Sequence, residues 1–139
     1  MLKAIVVAGA LALAAPAAAP AQSANSPAAL AEAFFTQVQA GEVLKAYQDM
    51  WRGSAIMDKK QADVENIAAQ NQAILRSYGK VLGWELMSEK VIAPSLVERL
   101  YLLRTENVPL FYKVQFYRPG TKWIVGNIYF TDTYKNVEE

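Results

Sequence analysis

Two adjoining β-prone runs between Val108 and Phe130 constrain the fold more than any other part of the sequence. Both runs are rich in aromatic and β-branched residues, and Pro119-Gly120 separates them, which is typical of an antiparallel hairpin. A Pro-Gly pair favours a type II turn, whose twist splays a tight two-residue hairpin. We therefore expect a longer loop over about residues 118–122.

This loop would place Tyr117 opposite Trp123, and alternation then divides the hairpin into two faces. The face that suits a core carries Leu110, Tyr112, Val114, Phe116, Ile124, Gly126, Ile128 and Phe130. The second face carries Lys113, Gln115 and Asn127 among the apolar residues Phe111, Tyr117, Trp123, Val125 and Tyr129. Gly126 lies in the middle of its run, where it indicates a bend.

The apolar part of the second face requires a cover, because monomers seldom expose such a patch. The cover can be the protein's own helices, a second copy of the sheet, which would make a homodimer, or a different partner. A register shifted by one residue would instead mix the two faces.

The first 21 residues have the pattern of a secretory signal peptide. Lys3 precedes an apolar run from Ala4 to Ala15, and small residues lead to a cleavage site after Ala21. The run is shorter than the roughly 20 residues that a membrane-spanning helix needs, so no integral membrane segment is expected after cleavage. The sequence contains no cysteine, which excludes a lipid anchor on cysteine and any disulfide. These features predict a periplasmic or secreted bacterial protein.

Three helices are predicted after a short lead over residues 22–26. The first begins at Pro27 after Ser26, the second covers about residues 42–51, and the third begins at a capping-box-like Asp58 and ends before Gly79. From residue 83 the period becomes alternating, which predicts strands over about 84–93 and 96–106 ahead of the hairpin. A single domain would thus span residues 27–132, followed by a polar tail, 133–139, that is expected to fray.

This order of elements resembles the nuclear transport factor 2-like (NTF2-like) superfamily, also called the cystatin-like cone fold. The similarity lies in three helices before four antiparallel strands, and in a tryptophan soon after the turn of the terminal hairpin, here Trp123 after Pro119-Gly120. The resemblance implies an α+β fold in which three N-terminal helices pack on a curved four-stranded antiparallel sheet and enclose a conical cavity. It also implies dimerisation through the outer sheet face, and it carries no catalytic motif.

Asn71 lies within the apolar stripe of the third helix, where an unpaired amide would cost about 1–3 kcal/mol. It is either a satisfied core amide or a polar anchor at the floor of a pocket. On the second interpretation Asn71, Tyr47 and Tyr112 are the candidate residues for binding a small apolar ligand.

The composition excludes several kinds of chemistry. Histidine and cysteine are absent, which removes the commonest general base, the usual zinc ligands and the thiol nucleophile. Motifs for phosphate, calcium or a nucleophilic serine are also absent, so we assign no catalytic residue, metal or cofactor. Lys3 is the only charge in the leader, and the remaining chain therefore carries 13 basic residues, from 14 less Lys3, against 13 acidic ones. This balance argues against a nucleic-acid partner.

One catalytic style of the resembled fold stays open, the ketosteroid isomerase type, in which an aspartate base works beside tyrosine donors. Candidate acids are Asp49, Asp63 and Asp132, and candidate donors are Tyr47, Tyr78 and Tyr112. Asp49 and Asp63 lie off the apolar stripes, which favours a solvated helix face, and the position of Asp132 favours a turn.

The sequence therefore supports three hypotheses. The first is a non-catalytic periplasmic protein that binds a small apolar ligand or another protein through its cavity or its outer sheet face. The alternative is a cone-fold isomerase or lyase that works by proton transfer inside the cone, with a buried aspartate within hydrogen-bond reach of a tyrosine hydroxyl. The third is a structural domain tied to the cell envelope or to a secretion assembly.

Overall fold

The computed structural model describes residues 23–138, and the predicted leader and its cleavage site lie outside them. Three helices come first, as predicted: α1 (Pro27–Gln39), α2 (Val43–Met50) and α3 (Ala55–Tyr78). The Ser26 hydroxyl accepts a hydrogen bond from the Ala29 backbone N–H at 3.1 Å, and proline occupies the first helical turn. This is the N-terminal cap that the sequence indicates.

The start of α3 differs from the prediction. The helix begins at Ala55, after Ser54, and its backbone departs from helical geometry at Lys60 (φ −129°, ψ 31°). A helical turn therefore precedes the kink, and the capping box predicted at Asp58 is wrong. The Gln61 side chain, the expected partner in that box, donates to Glu65 at 3.3 Å instead.

The sheet contains four antiparallel strands in the order of the sequence. They are β1 (Val81–Ala93), β2 (Leu96–Thr105), β3 (Leu110–Tyr117) and β4 (Ile124–Thr131). Strand β1 is an edge strand, and three irregularities leave Leu82, Met87 and Ile92 without a partner in β2. Bulges of this kind bend a strand and interrupt its free edge.

The register of the terminal hairpin corrects the sequence prediction. Tyr117 pairs with Ile124 rather than with Trp123, and Gly126 is an extra residue between the pairs Phe116–Val125 and Gln115–Asn127. The bulge at Gly126 is the bend predicted there. Because it changes the alternation, Val125 lies opposite Phe116 in the core and is 1% exposed. The predicted place of Val125 on the second face is wrong, and Ile124, predicted for the core face, lies beside exposed Tyr117.

An aromatic cluster joins the helices to the inner face of the sheet. Phe35 of α1 lies within 6 Å, between ring centroids, of Trp84, Tyr101 and Tyr112. The ring centroid of Phe34 lies 6.1 Å from that of Tyr112 and 5.0 Å from that of Tyr47 in α2. Stacked, tilted and edge-to-face ring pairs of this kind stabilise the fold beyond the burial of the rings.

The C-terminal tail covers part of the outer face of the sheet. A 3₁₀ turn (Tyr134–Asn136) places Val137 against Leu100 and Phe111, and Val137 is 2% exposed. The tail therefore packs at Val137, where the sequence predicted fraying. Among residues 23–138, none of the helices is both long and apolar enough to cross a membrane.

The helix-to-sheet connection at Gly79 gives a direct test of this architecture. Gly79 has φ +94°, and a Cβ atom there would lie 2.8 Å from both Asn107 Nδ2 and Glu106 Oε2. We expect Gly79→Ala to lower the free energy of unfolding by roughly 1–3 kcal/mol in urea titrations. Gly120→Ala is the matched control, since a Cβ there meets nothing within 4 Å. Equal losses for the two variants would contradict the described connection.

Candidate functional site

The three predicted ligand-binding residues meet in the interior. Tyr47 of α2 donates its hydroxyl to Asn71 Oδ1 at 2.8 Å, and Asn71 Nδ2 donates to the Tyr112 hydroxyl of β3 at 2.8 Å. We call Tyr47, Asn71 and Tyr112 the polar triad. All three side chains are 0% exposed.

The geometry of the polar triad fits a satisfied core amide. Both the oxygen and the nitrogen of the Asn71 amide have hydrogen-bond partners, so neither polar atom is buried unpaired. Burial raises the pKa of the Tyr47 phenol and of the Tyr112 phenol, which holds both side chains in the neutral form. With no exposed surface, the triad does not form the floor of an open pocket.

The candidate acids all lie outside this interior. Asp49 accepts from Gln37 Nε2 at 2.8 Å and pairs with Arg52, and the hydrogen bond from Gln37 is the main cause of its lowered pKa. Asp63 is exposed on α3. A carboxylate with a lowered pKa is a weak general base at neutral pH.

Asp132 has the tyrosine partner that the isomerase hypothesis requires, but it is not buried. It accepts a hydrogen bond from the Tyr78 hydroxyl at 2.5 Å, but this pair lies at the surface. The bond lowers the pKa of Asp132 and raises the pKa of Tyr78, so neither group titrates closer to neutrality because of the other. The buried aspartate–tyrosine pair of the isomerase hypothesis is not found among the described residues.

A cavity that the sequence did not predict lies at one end of the domain. Its volume is about 430 Å³, and it separates the residues before α1 from the α2–α3 connection and the start of β4. We call it the tryptophan cavity, because Trp51 and Trp123 line it. Its other lining residues are Ala24, Asn25, Leu30, Asp49, Met50, Arg52, Gly53, Ser54, Lys122 and Ile124.

Two sets of hydrogen bonds hold the walls of the tryptophan cavity. The Asn25 side chain accepts from the Trp123 backbone N–H at 2.7 Å and donates to the Trp123 carbonyl at 2.9 Å. Trp51 donates its indole N–H to the Val125 carbonyl at 3.0 Å. Pairing of an asparagine with a backbone 98 residues away has no local sequence signal, so this site could not be predicted from the sequence.

Trp51 also separates the tryptophan cavity from the interior. Its side chain is 8% exposed, and its ring lies 6.1 Å from that of Tyr47. A smaller groove of about 230 Å³ lies on another side of Trp51, between Ile56, Ile67 and Ile128. The indole therefore stands between solvent-accessible space and the polar triad.

The predicted outer-face residues do not form one patch. The tail covers Phe111, Trp123 is half-buried against the core, and Val125 is in the core. Tyr117 and Tyr129 remain on the surface, each 44% exposed. The homodimer therefore stays a prediction, with a smaller aromatic surface than the sequence indicated.

Exposed apolar side chains are concentrated instead on β1. They are Leu82, Leu86, Met87, Val91 and Ile92, with Val91 65% exposed.

Residues 23–138 hold no cluster of three or more acidic side chains arranged to bind a metal ion.

The alkaline stability of the protein tests the polar triad. The fold holds Tyr47 and Tyr112 as neutral phenols with raised pKa values, whereas an unfolded tyrosine loses its proton near pH 10. The free energy of unfolding should therefore fall as the pH rises past about 10, by at most about 1.4 kcal/mol per pH unit for each residue. Urea titrations between pH 8 and 11 should show a shallower fall for the Tyr47→Phe/Tyr112→Phe variant. Parallel curves would contradict the assignment.

Comparison with solved structures supports the fold. A proposed NTF2-like transpeptidase from Campylobacter jejuni aligns with a TM-score of 0.56 and 19% sequence identity, over 72% of this chain and 96% of the Campylobacter chain. No protein-family model matches the sequence, and no curated protein sequence matches it. This alignment, together with the three helices and the four-stranded antiparallel sheet of this chain, shows that it has the NTF2-like cone fold.

Proposed function

We propose that this protein is a non-catalytic binding protein, and that it takes a small ligand of largely apolar character in the tryptophan cavity. The observation that carries the proposal is the closed interior. The polar triad joins α2, α3 and β3, and because its three side chains are 0% exposed it offers no surface to a ligand.

The size and lining of the tryptophan cavity support this function. Small-molecule sites usually have volumes of about 300–1,000 Å³ and mostly apolar walls with a few polar groups. A volume of about 430 Å³ lies within that range. Leu30, Met50 and Ile124 add aliphatic surface beside the two indoles.

The cavity is also held in place before any ligand arrives. Asn25 ties the chain before α1 to Trp123, and the Trp51 indole is anchored to β4. Preorganised walls reduce the entropy lost when a ligand binds.

The titratable groups that the structure describes in the cavity lining favour binding without catalysis. Among residues 23–138, Asp49 is the only carboxylate in this lining, and its pKa is lowered by the Gln37 hydrogen bond and by Arg52. An ionised, paired carboxylate is suited to holding the wall rather than to proton transfer. At 19% identity, the likeness to the Campylobacter protein shows a common fold, and the activity in that protein's description does not carry over to this chain.

The proposed place of action is the bacterial periplasm. The leader over residues 1–21 has a short apolar run and a small-residue cleavage site. Cleavage after Ala21 would leave two residues, Gln22 and Ser23, before Ala24, the first described residue that lines the cavity.

A cavity-filling substitution tests the proposal. We expect ligand-observed NMR with a library of small aromatic and aliphatic fragments to detect binders, and Ala24→Trp to abolish their binding because the new indole occupies the cavity. Ala62→Trp makes the same change at an exposed position of α3 outside the cavity lining. This control should bind as the wild type does, and the fragments should be recovered chemically unchanged.

Two results would contradict the proposal. Fragments that bind the Ala24→Trp variant as well as the wild type would place the site elsewhere. Fragments that are converted during incubation would show catalysis.

A further inference from the structure

We infer that the tryptophan cavity selects organic anions, meaning ligands with a flat apolar body and one carboxylate or sulfonate group. This inference rests on the proposed function, since it names the class of ligand for the same cavity. It follows from how charge is arranged around the apolar walls.

Among the described residues, the charges in the cavity lining are one acidic and two basic side chains, Asp49, Arg52 and Lys122. Asp49 is already engaged by Gln37 and by the Arg52 guanidinium. Lys122 forms no ion pair with any other residue of the described range, and it is exposed. The rim therefore presents a net positive charge whose ammonium group is available to an incoming anion.

Arg118 adds a second positive charge next to the cavity. Its guanidinium carbon lies 4.9 Å from the centroid of the Trp123 ring, and the same side chain donates to the Pro94 carbonyl at 3.3 Å. Because a cation already lies over this indole, a cationic ligand stacked on Trp123 would be repelled. An anion beside the same ring would be attracted.

The apolar walls of the cavity favour a ligand with a flat apolar body. Trp123 is half-buried, and with Leu30, Met50 and Ile124 it offers a surface for an apolar body rather than for an extended polar chain. An anionic group at Lys122 and a flat body against Trp123 would use both features at once.

Two dyes with the same apolar body separate charge from shape. The first is 8-anilinonaphthalene-1-sulfonate, an anion, and the second is N-phenyl-1-naphthylamine, which is neutral. We expect the wild type to bind the anionic dye more tightly in fluorescence titrations at low salt. Lys122→Gln should weaken its binding roughly three- to tenfold and leave the neutral dye within about twofold. Lys59→Gln, an exposed lysine of α3 outside the cavity lining, is the matched control and should change neither.

The outcomes distinguish the ligand class from the site. If Lys122→Gln leaves the affinity for the anionic dye unchanged while Ala24→Trp removes binding of both dyes, the cavity is the site but the anion preference is wrong. If neither dye responds to Ala24→Trp, the proposed function fails together with the inference.

Discussion

The hydrogen bonds of the polar triad are the interaction on which the rest of this structure depends. They join α2, α3 and β3 through one amide and two phenols that have no contact with water. A buried network stabilises a fold only if each member is paired, since an unpaired buried group costs about 1–3 kcal/mol. Because Asn71 uses both its carbonyl oxygen and its amide nitrogen, the network fixes how α2 and α3 meet the sheet and leaves no accessible surface at the triad.

Closure of the interior moves the candidate site toward one end of the domain. Trp51 fills the space between Tyr47 and the cavity, and its indole bond to Val125 depends on the strand position that the Gly126 bulge produces. Asn25 adds a second restraint through the backbone of Trp123. The tryptophan cavity therefore depends on the β3–β4 register that places Val125 in the core.

Much of the fold could be predicted from periodicity, because helix and strand periods, the Ser26–Pro27 cap and the Gly79 stop are local signals. The register of the terminal hairpin could not, since a single extra residue at Gly126 changes which side chains face the core. The packing of Val137 on Phe111 was missed for a related reason, because an isolated apolar residue in a polar tail carries no period. For the site, the sequence correctly singled out Asn71 as a residue that must be satisfied or functional. The tryptophan cavity depends on contacts between residues about 100 positions apart, which no local pattern reveals.

The most direct test of the account is an NMR titration of the protein, labelled with ¹⁵N, with a small aromatic carboxylate. The side-chain N–H signals of Trp123, Asn25 and Asn71 report separately on the cavity wall and on the interior. The account predicts that the Trp123 indole and the Asn25 amide signals shift while the Asn71 amide signal does not. A shift at Asn71 with Trp123 unchanged would show that the interior of the cone, rather than the tryptophan cavity, is the binding site.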